Sequence, residues 1–572
     1  MEKRWNITSA DPESVLLLQQ SLKVHKSICR MLVSRGINTF EEARKYFRPA
    51  LQDLHDPFLM KDMDKAVERL SHALAFNEKI LVYGDYDVDG TTSVATMVRF
   101  LQSQNAIVDY YVPHRYREGY GVSAEGIAFA ITNNFQLIIT IDCGIKAVTR
   151  ISQAQEAGID CIICDHHLPD ETLPPAVAIL NAKQPDCHYP YKELCGCGVA
   201  LKLIQAVCKH LALKDECWHP FLQLATIAIA ADIVPITGEN RIIAYYGLQQ
   251  INQNPYTCLK ALFKLSTHRG EVHINTLVFV VAPRINAAGR MDDAKKAIQL
   301  FLEDEYDAAL KQAELLHTDN TERREADANI TAEALLQLAE LHDNDSRKTT
   351  VVYNELWHKG VVGIVASRLI DSYYRPTVVL TKSGDKISGS ARSVIGYNLY
   401  EAVHACRHLL ENYGGHFYAA GLTMQEHNLP LFVEAFEDIV SSTITEDQLT
   451  PEIVIDAKID FCDITHKYFD IIQQMEPFGP MNMRPVFAST QVFETGKSKI
   501  VKENHLKLTL KQNNTIMQGI GFGLADKIHL LQPNQPLDIA YTIDINEWNG
   551  NTTLQLKVID IRMANEHDWT GH

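Results

Sequence analysis

Three short apolar runs, each closed by residues that bind metal ions, constrain this chain more than any other feature. Residues 79–83 (KILVY) lead into Gly84-Asp85-Tyr86-Asp87-Val88-Asp89-Gly90. Residues 135–141 (FQLIITI) end on Asp142-Cys143-Gly144, and residues 160–164 (DCIIC) end on Asp165-His166-His167. Short runs that are apolar throughout fit strands buried on both faces. Helical patterns over 92–102 and 152–158 and a further strand over 106–112 complete an alternation of strands and helices. The expectation is an α/β fold with a parallel sheet covered on both sides. Sites in such sheets form at the carboxyl ends of the strands.

The three strand ends therefore point to one cluster. Alternate aspartates on an extended turn aim more than one carboxylate to one side, and Gly90 permits a tight entry into the next helix. Carboxylate oxygens suit Mg²⁺ or Mn²⁺, and imidazole shifts the preference towards Mn²⁺. The apolar, Ala-rich run over 222–231 (LQLATIAIAA) reads as a buried helix closed by Asp232. A carboxylate at the end of such a run needs a partner, which a metal supplies. Each feature alone has a plainer reading: a solvated acidic loop, a surface His-His pair, or an aspartate capping the next helix. Three successive strand ends carrying ligands are hard to assign to capping.

Beyond this unit, residues 294–345 are helical and increasingly charged, as a connecting helix between domains would be. A second α/β unit follows, with strands over 349–353 and 377–380 and a helix near 363–373. After residue 451 the pattern turns to short strands, and Asn549-Gly550 is a strong hairpin signal. That segment reads as a small β-barrel. The expected division is a helical segment over 1–60, a catalytic domain over 61–293, the connecting helix over 294–345, a smaller α/β domain over 346–445 and a barrel over 450–565.

The chain has 572 residues, enough for roughly three or four domains. Its 54 Lys+Arg against 71 Asp+Glu give a net charge of −17, which argues against coating nucleic acid through bulk charge. A local basic groove remains open, because counter-ion release depends only on the groove. The N-terminal residues lack an apolar signal region, and no run is apolar enough to span a bilayer. The 12 cysteines are scattered. The CxxC of Cys161 and Cys164 lies inside a strand, so buried reduced thiols are expected, consistent with a cytoplasmic location.

Two segments mix arginine, aromatic residues and glycine. They are residues 111–121 (YVPHRYREGYG), with Arg115, and residues 282–290 (APRINAAGR), with Arg284 and Arg290. Both read as loops suited to phosphate, since the guanidinium fork binds two oxygens. Residues 347–424 carry nine Lys/Arg against five Asp/Glu, a local excess within an acidic chain.

The motifs GDYDVDG, IDCG, CDHH and AADIVP resemble, in order, those of the DHH phosphoesterase superfamily. Residues 388–393 (SGSARS) and 414–421 (GGHFYAAG) resemble its DHHA1 domain. With the connecting helix and an OB-like nucleic-acid-binding barrel, nearly the whole chain resembles the bacterial RecJ family of single-strand-specific 5′→3′ DNA exonucleases. That resemblance implies hydrolysis with two divalent cations, Mn²⁺ or Mg²⁺, in DNA repair and recombination. It implies Asp87 on one metal, Asp89 on the other, Asp142 bridging, and His166 and Asp232 as further ligands of the second metal. His167 would contact the scissile phosphate, and Ser390, Arg392 and His416 the DNA near its 5′ end. Some superfamily members carry a His where Tyr83 stands, so Asp85 or water is expected to fill that place. Expected partners are single-stranded DNA with a 5′ end, a helicase and a single-strand-binding protein, with a monomeric chain and no membrane. Two other readings are a phosphatase for small nucleotides and a degenerate scaffold. The extra helix and barrel count against the first, and the full ligand set against the second.

Overall fold

The computed structural model describes residues 2–291, 293–548 and 551–564. The chain forms two compact units. One spans residues 56–232 and 247–451. The other comprises residues 3–55, 233–246 and the chain from Glu452 onward.

The first unit is built on the predicted parallel sheet. Its strands are β1 (Lys79–Gly84), β2 (Ile107–Tyr111), β3 (Leu137–Ile141), β4 (Asp160–Cys164) and β5 (Ala178–Leu180). They lie in the order β2-β1-β3-β4-β5, and every neighbouring pair is parallel. Helices α1 (Val88–Ser103), α4 (Gly196–His210) and α5 (Leu222–Ala231) are apolar and largely buried. On one face of the sheet, α2 (Ala124–Thr132) and α3 (Val148–Glu156) bury Ile127, Ala130, Ile151 and Ala154 against Leu81, Ile138 and Ile163. Burial of this kind stabilises by about 25 cal/mol per Å² of apolar surface, which explains why these strands are apolar on both sides.

Two expectations need correcting. Residues 282–290 form a helix, α6 (Ala282–Met291), not a loop. Its Pro283 is not at a helix start: the helical run begins at Ile274, and the proline follows directly on an irregular π turn over Leu277–Val281. The connecting segment is not one helix but two, α7 (Lys295–Leu302) and α8 (Tyr306–Glu340). The break falls at Glu305, whose side chain accepts from the N–H groups of Asp307 and Ala308 and starts a new helix. Helix α8 has 35 residues, about 52 Å. It buries Ala309, Ala313, Leu316, Asn320, Asp327, Ile330, Ala334 and Leu338, a stripe at helical spacing.

The second sheet of this unit contains β6 (Thr350–Tyr353), β7 (Thr377–Ser383), β8 (Lys386–Arg392), β9 (Asn412–His416) and β10 (Ala419–Met424), in the order β9-β10-β8-β7-β6. Only β6 and β7 pair in parallel. Helix α9 (Val362–Ser372) packs on it, with Val365, Ala366 and Leu369 against Val352 and Val379.

The second unit holds the barrel. Strands β11 (Phe487–Glu494), β12 (His505–Gln512), β13 (Thr515–Gly521), β14 (Leu537–Trp548) and β15 (Asn551–Met563) close a ring. β11 pairs with β14 and β12, β14 with β15, β15 with β13 and β13 with β12. This is an OB-like barrel. The predicted Asn549-Gly550 turn lies outside the described residues, although the strands on either side of it pair antiparallel. The first sixty residues are not wholly helical, because Arg4–Ile7 forms a strand parallel to Glu452–Ile455. Ten of the cysteines are free, Cys161 and Cys164 among them and buried. Cys208 and Cys217 depart from the expectation of reduced thiols and form a disulfide. The chain turns back after α4 and brings the two together. Among the described residues, no helix is long and apolar enough to cross a membrane.

Candidate metal centre and nucleic-acid interface

The strand order switches between β1 and β3, so the crevice beyond their carboxyl ends is where such sheets bind ligands. Asp85 follows β1 directly and is buried, and its Oδ1 has no hydrogen-bond partner. Asp87 caps α1, accepting from the Gly90 N–H at 3.0 Å. Asp89, in the first turn of α1, accepts from the N–H groups of Gly196 at 2.6 Å and Cys197 at 2.8 Å. These belong to the start of α4, whose backbone N–H groups favour a carboxylate. A Cβ at position 196 would stand 2.6 Å from the Asp142 Cβ, so only glycine admits the helix end here. Asp142 follows β3 in the left-handed region (φ 61°), which Asp tolerates better than most residues. Asp232 ends α5.

His166 is the centre of the cluster. Its Nε2 lies 3.2 Å from Asp142 Oδ1, 3.6 Å from Asp232 Oδ2 and 4.0 Å from Asp89 Oδ2. Burial, then the neighbouring His167, pushes its pKa down to about 3, so the ring is neutral. Neither ring nitrogen has a hydrogen-bond partner. Burial, then the neighbouring carboxylates, raises Asp89 to about 6 and Asp232 to about 9 and lifts Asp142 and Asp85 well above the usual range. A neutral imidazole thus offers its lone pair to oxygens that repel one another. Acceptors facing acceptors in a buried site call for a cation, and a carboxylate-rich set with one imidazole fits a divalent one.

Asp165 has a different task. Its carboxylate accepts from the N–H groups of Ile145 (2.9 Å), His166 (2.7 Å) and His167 (3.1 Å) and pairs with His167 Nδ1 at 2.7 Å. Burial alone would raise its pKa, but the bond to His167 and these N–H groups hold it below the usual range. Burial would likewise lower His167, and the bond to Asp165 outweighs it and raises that ring. The two histidines therefore differ: His166 is neutral and faces the carboxylates, while the bond to Asp165 favours the protonated form of His167. The Tyr120 hydroxyl joins this arrangement, 3.0 Å from the Asp142 carbonyl, to which it donates, and 3.2 Å from His167 Nε2.

The predicted arginines converge in part. Arg290 donates to the Gly360 carbonyl at 3.0 Å and feels the charges of Arg115, Arg323 and Arg392. Burial, then Arg115, pushes its pKa down to about 10. The Arg115 guanidinium lies 4.4 Å over the Tyr86 ring, in the aspartate turn. Arg392 donates to the Ser390 hydroxyl at 2.7 Å. Ser390 lies in a cross-strand row with Gly421 and Gly414, which leaves the sheet surface beside it without side chains. A Cβ at Gly363, in the first turn of α9, would stand 2.9 Å from Arg392 and 3.0 Å from Ser390. Glycine there makes room for both. His416 is exposed in a row with Ala419 and Arg392, two strand spacings or about 10 Å from the latter. Arg284 is buried in α6, six residues before Arg290.

Three sequence profiles match the chain: the DHH family, N-terminal domain (residues 79–229), the DHHA1 domain (347–442) and the RecJ OB domain (455–560). The single-stranded-DNA-specific exonuclease RecJ of Bacillus subtilis is 38% identical over 98% of this chain and 71% of its own length. The chain belongs to the RecJ family. Its Escherichia coli member is 32% identical over 93% of this chain and 95% of its own length. A crystal structure of Thermus thermophilus RecJ in complex with Mn²⁺ superimposes with a TM-score of 0.84 at 27% identity, over 98% of this chain and 80% of that one.

Tyr83, which stands where some superfamily members carry a His, has a structural task. It is fully buried against the α2 and α3 face, and its hydroxyl accepts from Ser123 N–H at 2.9 Å and donates to the Gly121 carbonyl at 3.1 Å. It anchors the loop after β2. The cluster side of that turn is supplied two residues on, by Asp85. Tyr83→Phe is expected to cost about 1–3 kcal/mol in urea unfolding, from the backbone groups it strands. Divalent-cation affinity by calorimetry should stay within roughly twofold, since the hydroxyl touches no member of the cluster. Sequence reasoning missed the N–H groups of Gly196 and Cys197, because nothing local shows that the start of α4 meets the aspartate turn. It also missed Tyr120 and the arginines of α8, read there as part of a charged connecting helix.

Proposed function

We propose that this protein is a single-stranded-DNA exonuclease that hydrolyses phosphodiester bonds from the 5′ end with two divalent cations, Mn²⁺ or Mg²⁺. The observation that carries the reading is the partnerless, neutral His166 among mutually repelling carboxylates. Asp85 and Asp87 would hold one cation, Asp89, His166 and Asp232 the other, and Asp142 both. Bound there, the cations supply an acidified water and neutralise charge on the attacked phosphoryl group. The chain's own groups do the rest. Asp165 holds Nδ1 of His167 and favours the protonated ring, and Nε2, which stands 3.2 Å from the Tyr120 hydroxyl, would exchange that partner for a scissile-phosphate oxygen. The names of the curated relatives support the substrate, and the Mn²⁺ complex of the Thermus thermophilus protein supports the metal.

Direction rests on the arginines. Ser390 and Arg392, beside the start of α9, with Arg290 and Arg115 in electrostatic reach, suit a terminal phosphate dianion better than an internal diester. Arg284 and His416 lie further along the bound strand. The OB-like barrel adds non-specific grip, as such folds do. In the cell this activity would serve DNA repair and recombination in the cytoplasm, with a monomeric chain acting on strands that a helicase and a single-strand-binding protein present.

The test is Mn²⁺-dependent digestion of 5′-phosphorylated single strands beside duplex and dinucleotide. Progressive shortening of the single strand with the duplex left intact is expected, whereas cleavage of dinucleotides only would sink the proposal. Arg392→Ala should lower kcat/KM on 5′-phosphorylated strands by roughly 10- to 100-fold and on 5′-hydroxyl strands much less. Equal losses on both would remove Arg392 from end recognition.

A further inference from the structure

Helix α6 carries a buried arginine, Arg284, and a half-buried one, Arg290, whose surroundings differ. Arg290 and its neighbour Arg323 belong to a group that contains its own counter-charge. Asp327 on α8 is fully buried, 2.7 Å from Arg368 and 3.8 Å from Arg323. Arg284 has no such partner. It is only 8% exposed, its Nη1 donates to the Val280 carbonyl one turn back, and its Nε is buried without a hydrogen-bond partner. The charge that bears on it is that of Arg324, another cation. Arg324 is exposed on α8, seven residues and therefore two turns after His317. His317 has a buried Nδ1 without a partner, and both arginines act on it. Where α6 packs on α8, two arginines and a histidine thus lie within electrostatic reach of one another, with no carboxylate bonded to any of them among the described residues. Leaving a buried guanidinium nitrogen unpaired is costly, and gathering cations around it raises that cost. Such a set is stable when an anion is bound to it.

We infer that Arg284, His317 and Arg324 form a second phosphate-binding subsite, which takes an internal phosphodiester of the substrate strand. The inference rests on the nuclease reading above, which already sets Arg284 along the bound strand, and deepens it by adding His317 and Arg324 and assigning the three to one internal phosphate. Arg284 and Arg290 are six residues apart on one helix, about 9 Å along its axis. Six residues also turn the two side chains about 120° apart around the helix, so the subsite faces another side of α6, and the strand would span about two or three nucleotides to reach it from the end-binding arginines. It would grip strand that has not yet been cut, which a dinucleotide is too short to supply.

The test compares Arg284→Met, Arg324→Ala and Arg324→Lys with wild type on a 5′-phosphorylated 20-mer of thymidylate and on the 5′-phosphorylated dinucleotide. Binding of the 20-mer is also followed by fluorescence anisotropy in EDTA as salt is varied. Arg324→Ala is included because an exposed side chain can be removed without disturbing the fold. The expected result is a roughly tenfold weaker Kd and higher KM for the 20-mer. The ratio of kcat/KM between 20-mer and dinucleotide should fall by the same factor. The slope of log K against log salt should become shallower by about 0.7, the share of a single phosphate, and Arg324→Lys should recover much of the binding. An unchanged 20-mer Kd in Arg324→Ala would overturn the subsite. So would equal losses on both substrates. Competition by inorganic phosphate that Arg324→Ala abolishes, with 20-mer binding intact, would make it a free-anion site instead. A wild-type protein that degrades neither substrate would sink the nuclease reading, and the anisotropy result would still decide the subsite.

Discussion

Asp142→Ala should abolish phosphodiester cleavage while leaving a folded protein. The side chain sits 3.2 Å from His166 Nε2 and within electrostatic reach of Asp85, Asp87, Asp89 and Asp232. On the proposed assignment Asp142 would hold both cations, so its loss would remove several kcal/mol of charge stabilisation, on the order of a thousandfold or more in rate. Near-normal turnover by the folded variant would sink the two-cation assignment. The same substitution should have the opposite effect on the metal-free fold. Burial, then mutual repulsion, raises Asp89 to about 6 and Asp232 to about 9, above the ordinary carboxyl value near 3.8. A group with a raised folded pKa binds more protons in the folded state than in the unfolded one, so stability falls as pH rises from the ordinary value through the raised one. In EDTA the wild-type protein should therefore lose thermal stability between about pH 5 and pH 9. Asp142→Ala should melt higher than wild type at pH 8, because one repelling charge is gone. Mn²⁺ should raise the wild-type Tm and should do less for the variant. A metal-free Tm that climbs across this range would contradict the repulsion argument.

Asp165→Asn carries the second large expected effect, and it tests a positioning residue. The aspartate touches no other carboxylate of the cluster. It ties Ile145, His166 and His167 into one turn and pairs with the imidazole of His167. Asparagine keeps the shape but turns one acceptor into a donor that faces N–H groups. The expected cost is about 2–4 kcal/mol in urea unfolding, together with a roughly 10- to 100-fold fall in kcat. The pH profile should separate this from simple loosening. Without its partner, His167 loses its proton at lower pH, so the alkaline limb of kcat should move down. A variant with wild-type stability and an unshifted profile would show that Asp165 neither braces the turn nor sets the charge of His167.

The gathering of the carboxylates and His166 was largely legible in the sequence because its members follow strands that are apolar on both faces. Such strands can only be central in a parallel sheet, and their carboxyl ends can only gather at one edge. Asp87, Asp89, Asp142, His166 and Asp232 do gather there. The sequence could not separate the two histidines, because their difference depends on where Asp165 turns. It misread residues 282–290 as a loop because glycine, asparagine and proline are turn-formers in isolation. Packing of α6 beside α8 and the Asp85-Tyr86 turn overrides that preference, and Gly289 is needed there because a Cβ would stand 2.6 Å from the Tyr86 carbonyl.

What the sequence determined alone is the chemistry available: carboxylates and one imidazole at strand ends, arginines in two glycine-containing stretches, and a terminal run of short strands. Strand periodicity and side-chain type are local, so they survive without knowledge of the rest of the chain. Tertiary structure alone decided how those groups are used. It gave Asp89 the backbone N–H groups of a helix more than a hundred residues away, and it left His166 neutral and partnerless. It also paired Arg323 and Arg368 with Asp327 while leaving Arg284 with cations only. Those outcomes depend on burial and on contacts between distant segments, and burial is what converts an ordinary side chain into one that needs a cation or a phosphate.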